Sequence, residues 1–248
     1  MNNIRMTSAS ALALALWFPA LCLAQSAPAT PARSQVVMVH IKPDMVTEWI
    51  DIQKNEVIPA LKKAGVKTRT TYRTVFGNSY EYISITPFDK FAQLDGQGPF
   101  VRALGAEGAA KLTAKLSKCT ESRQVFISNP MPDLSNAPAG ELPPMGVFTR
   151  RRVAAGKMQD YQSFIKNEVL PVYKKAEARY TVSRRGLGAN SNDVVSISWL
   201  SNAADLDSSS PIIRTLGQEG AAKLAAKGAG LTTLIETVVR QRVPELSY

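Results

Sequence analysis

Three consecutive arginines, Arg150, Arg151 and Arg152, stand inside an otherwise apolar, strand-like run. Side chains on a strand alternate between its two faces, so Arg151 must point away from Arg150 and Arg152, and at least one guanidinium is directed at a packed layer. An unpaired buried cation is costly. That arginine therefore needs a carboxylate, with Glu168 and Asp193 as candidates, or an anionic ligand; a frayed strand end with all three in water is the other reading. His40 is the only histidine, and an imidazole could act as a general base or a haem ligand. The sequence offers it no second ligand and no evident orienting partner, so no cofactor is assigned. Zinc would need more nitrogen and sulfur ligands than one histidine and Cys119 provide. Glu56 and Glu168 hold equal places in KNEVIPALKKA and KNEVLPVYKKA. Symmetric carboxylates could do acid–base work, although neighbouring Lys54 and Lys166 suit a solvated helix face. The glycines of Arg184-Arg185-Gly186-Leu187-Gly188 lie at a strand-to-hairpin position and not at a helix start, which argues against a phosphate loop. The candidate ligand-binding residues are thus Arg150, Arg151, Arg152, Glu168, His40 and Glu56, with catalytic residues unknown.

The elements that must position these groups occur twice. LGAEGAAKL at Leu104 returns as LGQEGAAKL at Leu216, and a shift of 112 positions aligns Val36 to Asn136 with Phe148 to Tyr248 without a gap. About a third of the aligned pairs are identical, which marks an internal duplication. Each copy opens with a β-rich run. Pro43 to Ala64 then carries apolar residues at Val46, Trp49, Ile50, Val57 and Leu61, one face of a helix. The second copy shows the same stripe at Met158, Tyr161, Ile165, Val169 and Tyr173, with Ile165 in place of Gln53. Two further β-rich runs are joined at Gly77-Asn78, residue types suited to a left-handed turn; Ala189-Asn190 stands there in the second copy, so asparagine is expected to carry the turn. Phe100 to about Lys118 is a second helix and Gln124 to Ser128 a last strand. The order β-α-β-β-α-β is the ferredoxin-like unit. A four-stranded sheet with helices on one face must cover the other, so the class is α+β, with two ferredoxin-like repeats packed sheet to sheet as an intrachain α/β barrel. The expected boundaries are 35–135 and 147–248, joined by a proline-rich linker at 136–146.

The 248 residues are 45% hydrophobic, enough apolar material for a packed core. Residues 1–24 combine Arg5, an apolar run from Ala9 to Leu23 and small residues before a cleavage point, the pattern of a secretory signal peptide. That predicts an exported protein, periplasmic or secreted, with 25–34 as a flexible lead-in. Cys22 would leave with the signal, so Cys119 would have no disulfide partner and reads as a small buried hydrophobe, its repeat partner being Leu231. The net charge of +10 favours acidic partners. The basic residues are scattered among carboxylates without stacking aromatics, however, which argues against nucleic acid. The apolar run is too short for a stable membrane span. Oligomeric state stays open, since internal pairing removes the usual need for a dimer.

The duplication and the strand-turn-helix openings IKPDM and VAAGKM resemble the dimeric α/β-barrel superfamily in a form where one chain supplies both halves. The resemblance implies a ligand site between a sheet and its own helices, and functions ranging from cofactor-independent monooxygenases and isomerases to haem enzymes and binding modules. Haem-degrading relatives use an Asn, a Trp and a His in that order; here His40, Trp49 and Asn55 come in a different order, so those roles are not carried over. The expected function is an exported small-molecule-binding module of unassigned ligand, an anion being one candidate, with a cofactor-independent monooxygenase or isomerase of a small ring compound as the alternative.

Overall fold

The computed structural model describes residues 33–138 and 140–248. The expected signal peptide, Cys22 and most of the lead-in lie outside those residues. Arg33 and Ser34 do not: β1 (Arg33–Ile41) begins two residues before the expected start. After it come α1 (Val46–Ile52), a π turn at Gln53–Val57, α2 (Ile58–Lys63), β2 (Thr70–Phe76), β3 (Glu81–Phe88), α3 (Pro99–Cys119) and β4 (Thr120–Pro130). The second half runs in the same order through β5 (Met145–Val153), α4 (Met158–Phe164), a π turn at Ile165–Val169, α5 (Leu170–Lys175), β6 (Tyr180–Arg185), β7 (Asp193–Leu200), α6 (Pro211–Lys227) and β8 (Thr232–Arg242). Met145 and Gly146 therefore belong to a strand and not to the connector.

The interruptions in the helices have local causes. Pro59 and Pro171 lack the N–H that would bond four residues back, and in each half a π turn widens the helix just before the proline. The long helices break at Gly105 (φ 73°) and Gly217 (φ 70°), a left-handed conformation that glycine adopts without cost. The recurring LGxEGAAKL phrase thus marks a broken helix where the sequence suggests a continuous one.

The eight strands of the described residues pair antiparallel in one closed barrel, in the order β1-β3-β2-β8-β5-β7-β6-β4. The two four-stranded groups are hydrogen-bonded at both seams, β2 to β8 and β4 to β6. They form one closed ring, as the barrel expectation had it, and closure leaves no unpaired edge among the described strands. Inside it, Val36, Met38, Tyr72, Ile83 and Phe126 meet Phe148 and Val238 of the second half. Outside it, helices cover Ile41, Trp49, Tyr82, Leu112 and Cys119 in one half, and Val153, Tyr161, Tyr173, Tyr180 and Leu224 in the other. Trp49 packs on Tyr82 with ring centroids 4.6 Å apart, and burial pushes the Cys119 thiol pKa up.

The halves differ in one register. Thr71 of β2 lies opposite Ser84, whereas Ser183, its repeat partner, lies opposite Val195 and not Ser196. The cause is the hairpin: four residues separate β2 from β3, but Gly186 to Asn192 separate β6 from β7. Thr74-Val75-Phe76 has become Gly186-Leu187-Gly188, so β6 stops early. A one-residue slip turns every side chain to the other face. Neither turn asparagine adopts the left-handed conformation. Asn78 and Asn190 instead accept the backbone N–H two residues on, from Tyr80 and Asn192, through their side chains.

Gln53, the polar break in the first apolar stripe, is buried and accepts a 2.9 Å hydrogen bond from Arg69, which also donates to Ser84. Burial lowers the Arg69 pKa to about 10. Gln53→Ile, the residue type of the second half, should cost about 1–3 kcal/mol by stranding a buried donor, and Gln53→Ile with Arg69→Met should recover most of it. Urea unfolding of the two variants checks this; equal losses would show that Gln53 does not serve Arg69.

Candidate functional site

Inward-facing residues of β1, β3 to β8 enclose a cavity of about 70 Å³ in the barrel interior. One wall is apolar, built by Val36, Met38, Ile83 and Ile85 of β1 and β3. The opposite side carries Arg150 of β5, Arg185 of β6 and Arg240 of β8, with Glu236 beside them. Arg150 is the sequence candidate that strand alternation directs inward, and its Nε lies 3.6 Å from Glu236 Oε2. Arg240 is buried and donates to Glu81 Oε1 at 2.5 Å, crossing the β2–β8 seam. Its guanidinium also sits 5.0 Å from the Phe148 ring centroid.

Arg185 differs from both. It is 6% exposed and, among the described residues, makes no hydrogen bond or ion pair. Its guanidinium lies 4.2 Å from the Phe126 ring centroid, a contact that offsets part of the desolvation. Burial, with the like charges of Arg150 and Arg240, lowers its pKa to about 10 against the opposing pull of Asp193 and Glu236, neither of which is within ion-pair distance. The register slip puts it there: Arg73, its repeat partner, points outward and is exposed. The Nε groups of Arg150, Arg185 and Arg240 are all buried without an acceptor, as is the Tyr72 hydroxyl in the same interior. Buried donors are normally satisfied, and these four have no acceptor among the described protein groups.

The other candidates separate. Arg152 is exposed and grips buried Asp193 through Nε at 2.7 Å and Nη2 at 3.2 Å. Arg151 faces the opposite layer, beside Tyr161, Tyr173 and Tyr180, and lowers their hydroxyl pKa values against the dominant upward effect of burial. The carboxylates considered for it are engaged elsewhere, Asp193 with Arg152 and Glu168 with Lys227 at 2.8 Å. Glu56 pairs with Lys115 at 2.8 Å. These two glutamates each tie the first helix of their own half to the second, through separate lysines and not as a pair.

His40 gains the partners that the sequence did not reveal. Its Nδ1 is 2.7 Å from Ser122 Oγ and its Nε2 is 3.2 Å from Glu81 Oε2. Glu81 in turn accepts from Thr74 at 2.9 Å and from Arg240. His40, Ser122 and Glu81 are cross-strand neighbours on β1, β4 and β3, so the half-exposed imidazole ends a chain of contacts that leads through a buried carboxylate to the cavity arginine. Both ring nitrogens are committed in it. The layers between sheets and helices, where the family resemblance places a ligand, hold the two helix-facing clusters of buried apolar side chains. An open groove of about 680 Å³ borders the first half at Ala64 to Thr68, Thr86 to Asp89 and Gln97 to Arg102. Its one arginine, Arg102, is bound to the carbonyls of Gln97 and Ala64. Among the described residues no group of three His, Cys, Asp or Glu is placed to hold a metal.

No family model and no curated protein matches the sequence. Solved structures do. A candidate monooxygenase from Lactobacillus acidophilus NCFM has a TM-score of 0.55 at 10% identity, over 85% of this chain and 93% of its own. An anthrone oxidase-like protein has 0.54 at 12%, over 86% and 91%. A mutant chlorite dismutase from Candidatus Nitrospira defluvii has 0.54 at 9%, over 87% and 92%. These neighbours belong to the dimeric α+β barrel superfamily. The likeness is one of fold, an eight-stranded antiparallel barrel with helices outside.

Burial alone would raise the Glu81 pKa, but the charge and hydrogen bond of Arg240, with Thr74 and His40, outweigh it and hold the carboxyl below its usual range. A depressed folded-state pKa contributes stability above the unfolded value, about 4.3, that is lost as pH falls through the folded one. Glu81→Gln should therefore cost about 3–5 kcal/mol at pH 7, by leaving Arg240 buried without its carboxylate. The deficit should shrink at pH 3. Urea unfolding at both pH values tests it, and a pH-independent deficit would refute the assignment.

Proposed function

We propose that this chain is an exported small-molecule-binding module whose ligand is an anion held inside the barrel. In this reading the barrel is a tandem of two ferredoxin-like repeats, the first opening with β1 at Arg33 and the second with β5 at Met145, joined by a proline-rich connector that ends before Met145. The ungapped repeat and the recurrence of β-α-β-β-α-β in both halves support it. Export rests on the signal-like pattern of residues 1–24, and no helix among the described residues is long and apolar enough to cross a membrane. The observation that carries the binding reading is Arg185, a buried cation facing a cavity without a carboxylate of its own. Leaving such a group unmatched is expensive, and an anion removes the cost.

Fold neighbours bearing monooxygenase and oxidase names favour a second reading, a cofactor-independent oxygenase acting on a small ring compound. Oxygen uptake by the purified protein with anthrone would select it. The binding reading predicts saturable thermal stabilisation by at least one small anion at constant ionic strength, following RT ln(1 + [L]/Kd). The response should vanish in Arg185→Met and persist in Arg73→Met, which removes the exposed arginine at the aligned position. Absence of saturable stabilisation by every anion, or equal loss in both variants, would end this reading.

A further inference from the structure

We infer that the interior site takes one monovalent carboxylate with a short apolar tail, of the size of acetate or propionate. This rests on the anion-binding reading above and adds the charge, shape and size of the ligand. Charge comes from the inward-facing groups. Three guanidiniums line the cavity, Arg150, Arg185 and Arg240, with Glu236 in the lining and Glu81 held by Arg240, while nearby Asp193 is neutralised by exposed Arg152. Two of the three lining cations have a carboxylate partner and Arg185 has none within ion-pair distance, so the balance is a single positive charge. A dianion such as sulfate or hydrogen phosphate would overshoot it and would repel Glu236 and Glu81.

Shape comes from the two unlike walls. Buried Nε groups of Arg150, Arg185 and Arg240 lack acceptors on one side, and a planar guanidinium donates best to a planar, two-oxygen acceptor. Val36, Met38, Ile83 and Ile85 on the other side offer nothing to a second polar end. Chloride or nitrate would meet the arginines but leave that wall without a partner, whereas a methyl or ethyl group fills it. Size comes from the cavity: about 70 Å³ has room for about five water-sized groups. That admits the carbon and oxygen atoms of a two- or three-carbon acid. A long-chain acid does not fit.

Isothermal titration of the full-length mature protein with sodium acetate, propionate, decanoate, chloride, nitrate, sulfate and phosphate, at fixed ionic strength, tests this. Propionate or acetate should bind at one site per chain and more tightly than any other member of the panel. Arg185→Lys, which keeps the charge and loses the fork, should weaken that binding about ten- to hundredfold, the effect of one charge-assisted hydrogen bond. Met38→Arg should weaken it too, by placing a second charge on the apolar wall, and a retained melting transition shows that either variant is folded. Preferred binding of nitrate, chloride, sulfate or phosphate would overturn the carboxylate assignment and leave the anion site standing. No saturable heat with any of the seven would overturn both, and would mean that water alone satisfies the arginines.

Discussion

Closure of the ring is the constraint on which the rest depends. A four-stranded sheet with helices on one side has an open face and two open edges, and this chain removes both by joining its two sheets at two seams. The inner faces then share a volume that bulk water does not solvate freely. Every charge that points inward has to be answered by another inward side chain or by something that enters. The Glu81–Arg240 contact does this across the β2–β8 seam, so one ion pair both neutralises a buried arginine and fastens the halves. At the β4–β6 seam Arg185 has the Phe126 ring but no carboxylate. The two seams are built alike and balanced differently.

That imbalance follows from a few residues of turn chemistry. Thr-Val-Phe extends β2 far enough to pair with β8, whereas Gly-Leu-Gly ends β6 and lengthens its hairpin. Gly188 sits at φ 85°, and a Cβ there would lie 2.3 Å from the Val125 carbonyl oxygen, so the loop can press against β4 only with glycine at that place. The slip that results turns Arg185 inward and Tyr180 outward under the helices, where Tyr180 stacks on Tyr173 at 4.1 Å. The same event therefore adds a charge to the interior and an aromatic pair to the outer layer.

The order of elements was legible in the sequence because local patterns specify it: the helical stripes, the β-rich runs around each asparagine turn, and a recurrence of similar residues 112 positions on that allowed each to be read twice. Strand alternation also correctly gave Arg150 and Arg151 opposite faces. Long-range pairing was less legible. His40 looked isolated because Glu81 and Ser122 are its neighbours across strands and not along the chain. Arg185 aligned with exposed Arg73, and an ungapped alignment carries facing over with identity, so it concealed the slip. The visible signal was the replacement of three β-forming residues by Gly186-Leu187-Gly188, which weakens a strand end and leaves register free to shift. The ion pairs of Glu56 and Glu168 with lysines on the following helices were equally hidden, being tertiary contacts between distant segments.

A single chain can make an interior that two identical chains cannot. In a symmetric dimer every inward residue occurs twice, related by the two-fold axis. An inward arginine at the position of Arg150 would face its own copy, and the interior would carry like charges in pairs. Here the paired positions have diverged: Met38 against Arg150, Ser128 against Arg240, and outward Arg73 against inward Arg185. One side of the cavity is left apolar and the other cationic. An odd, single positive charge is possible only because the two halves are not equivalent, and the cavity is polarised as a result, apolar on one side and cationic on the other.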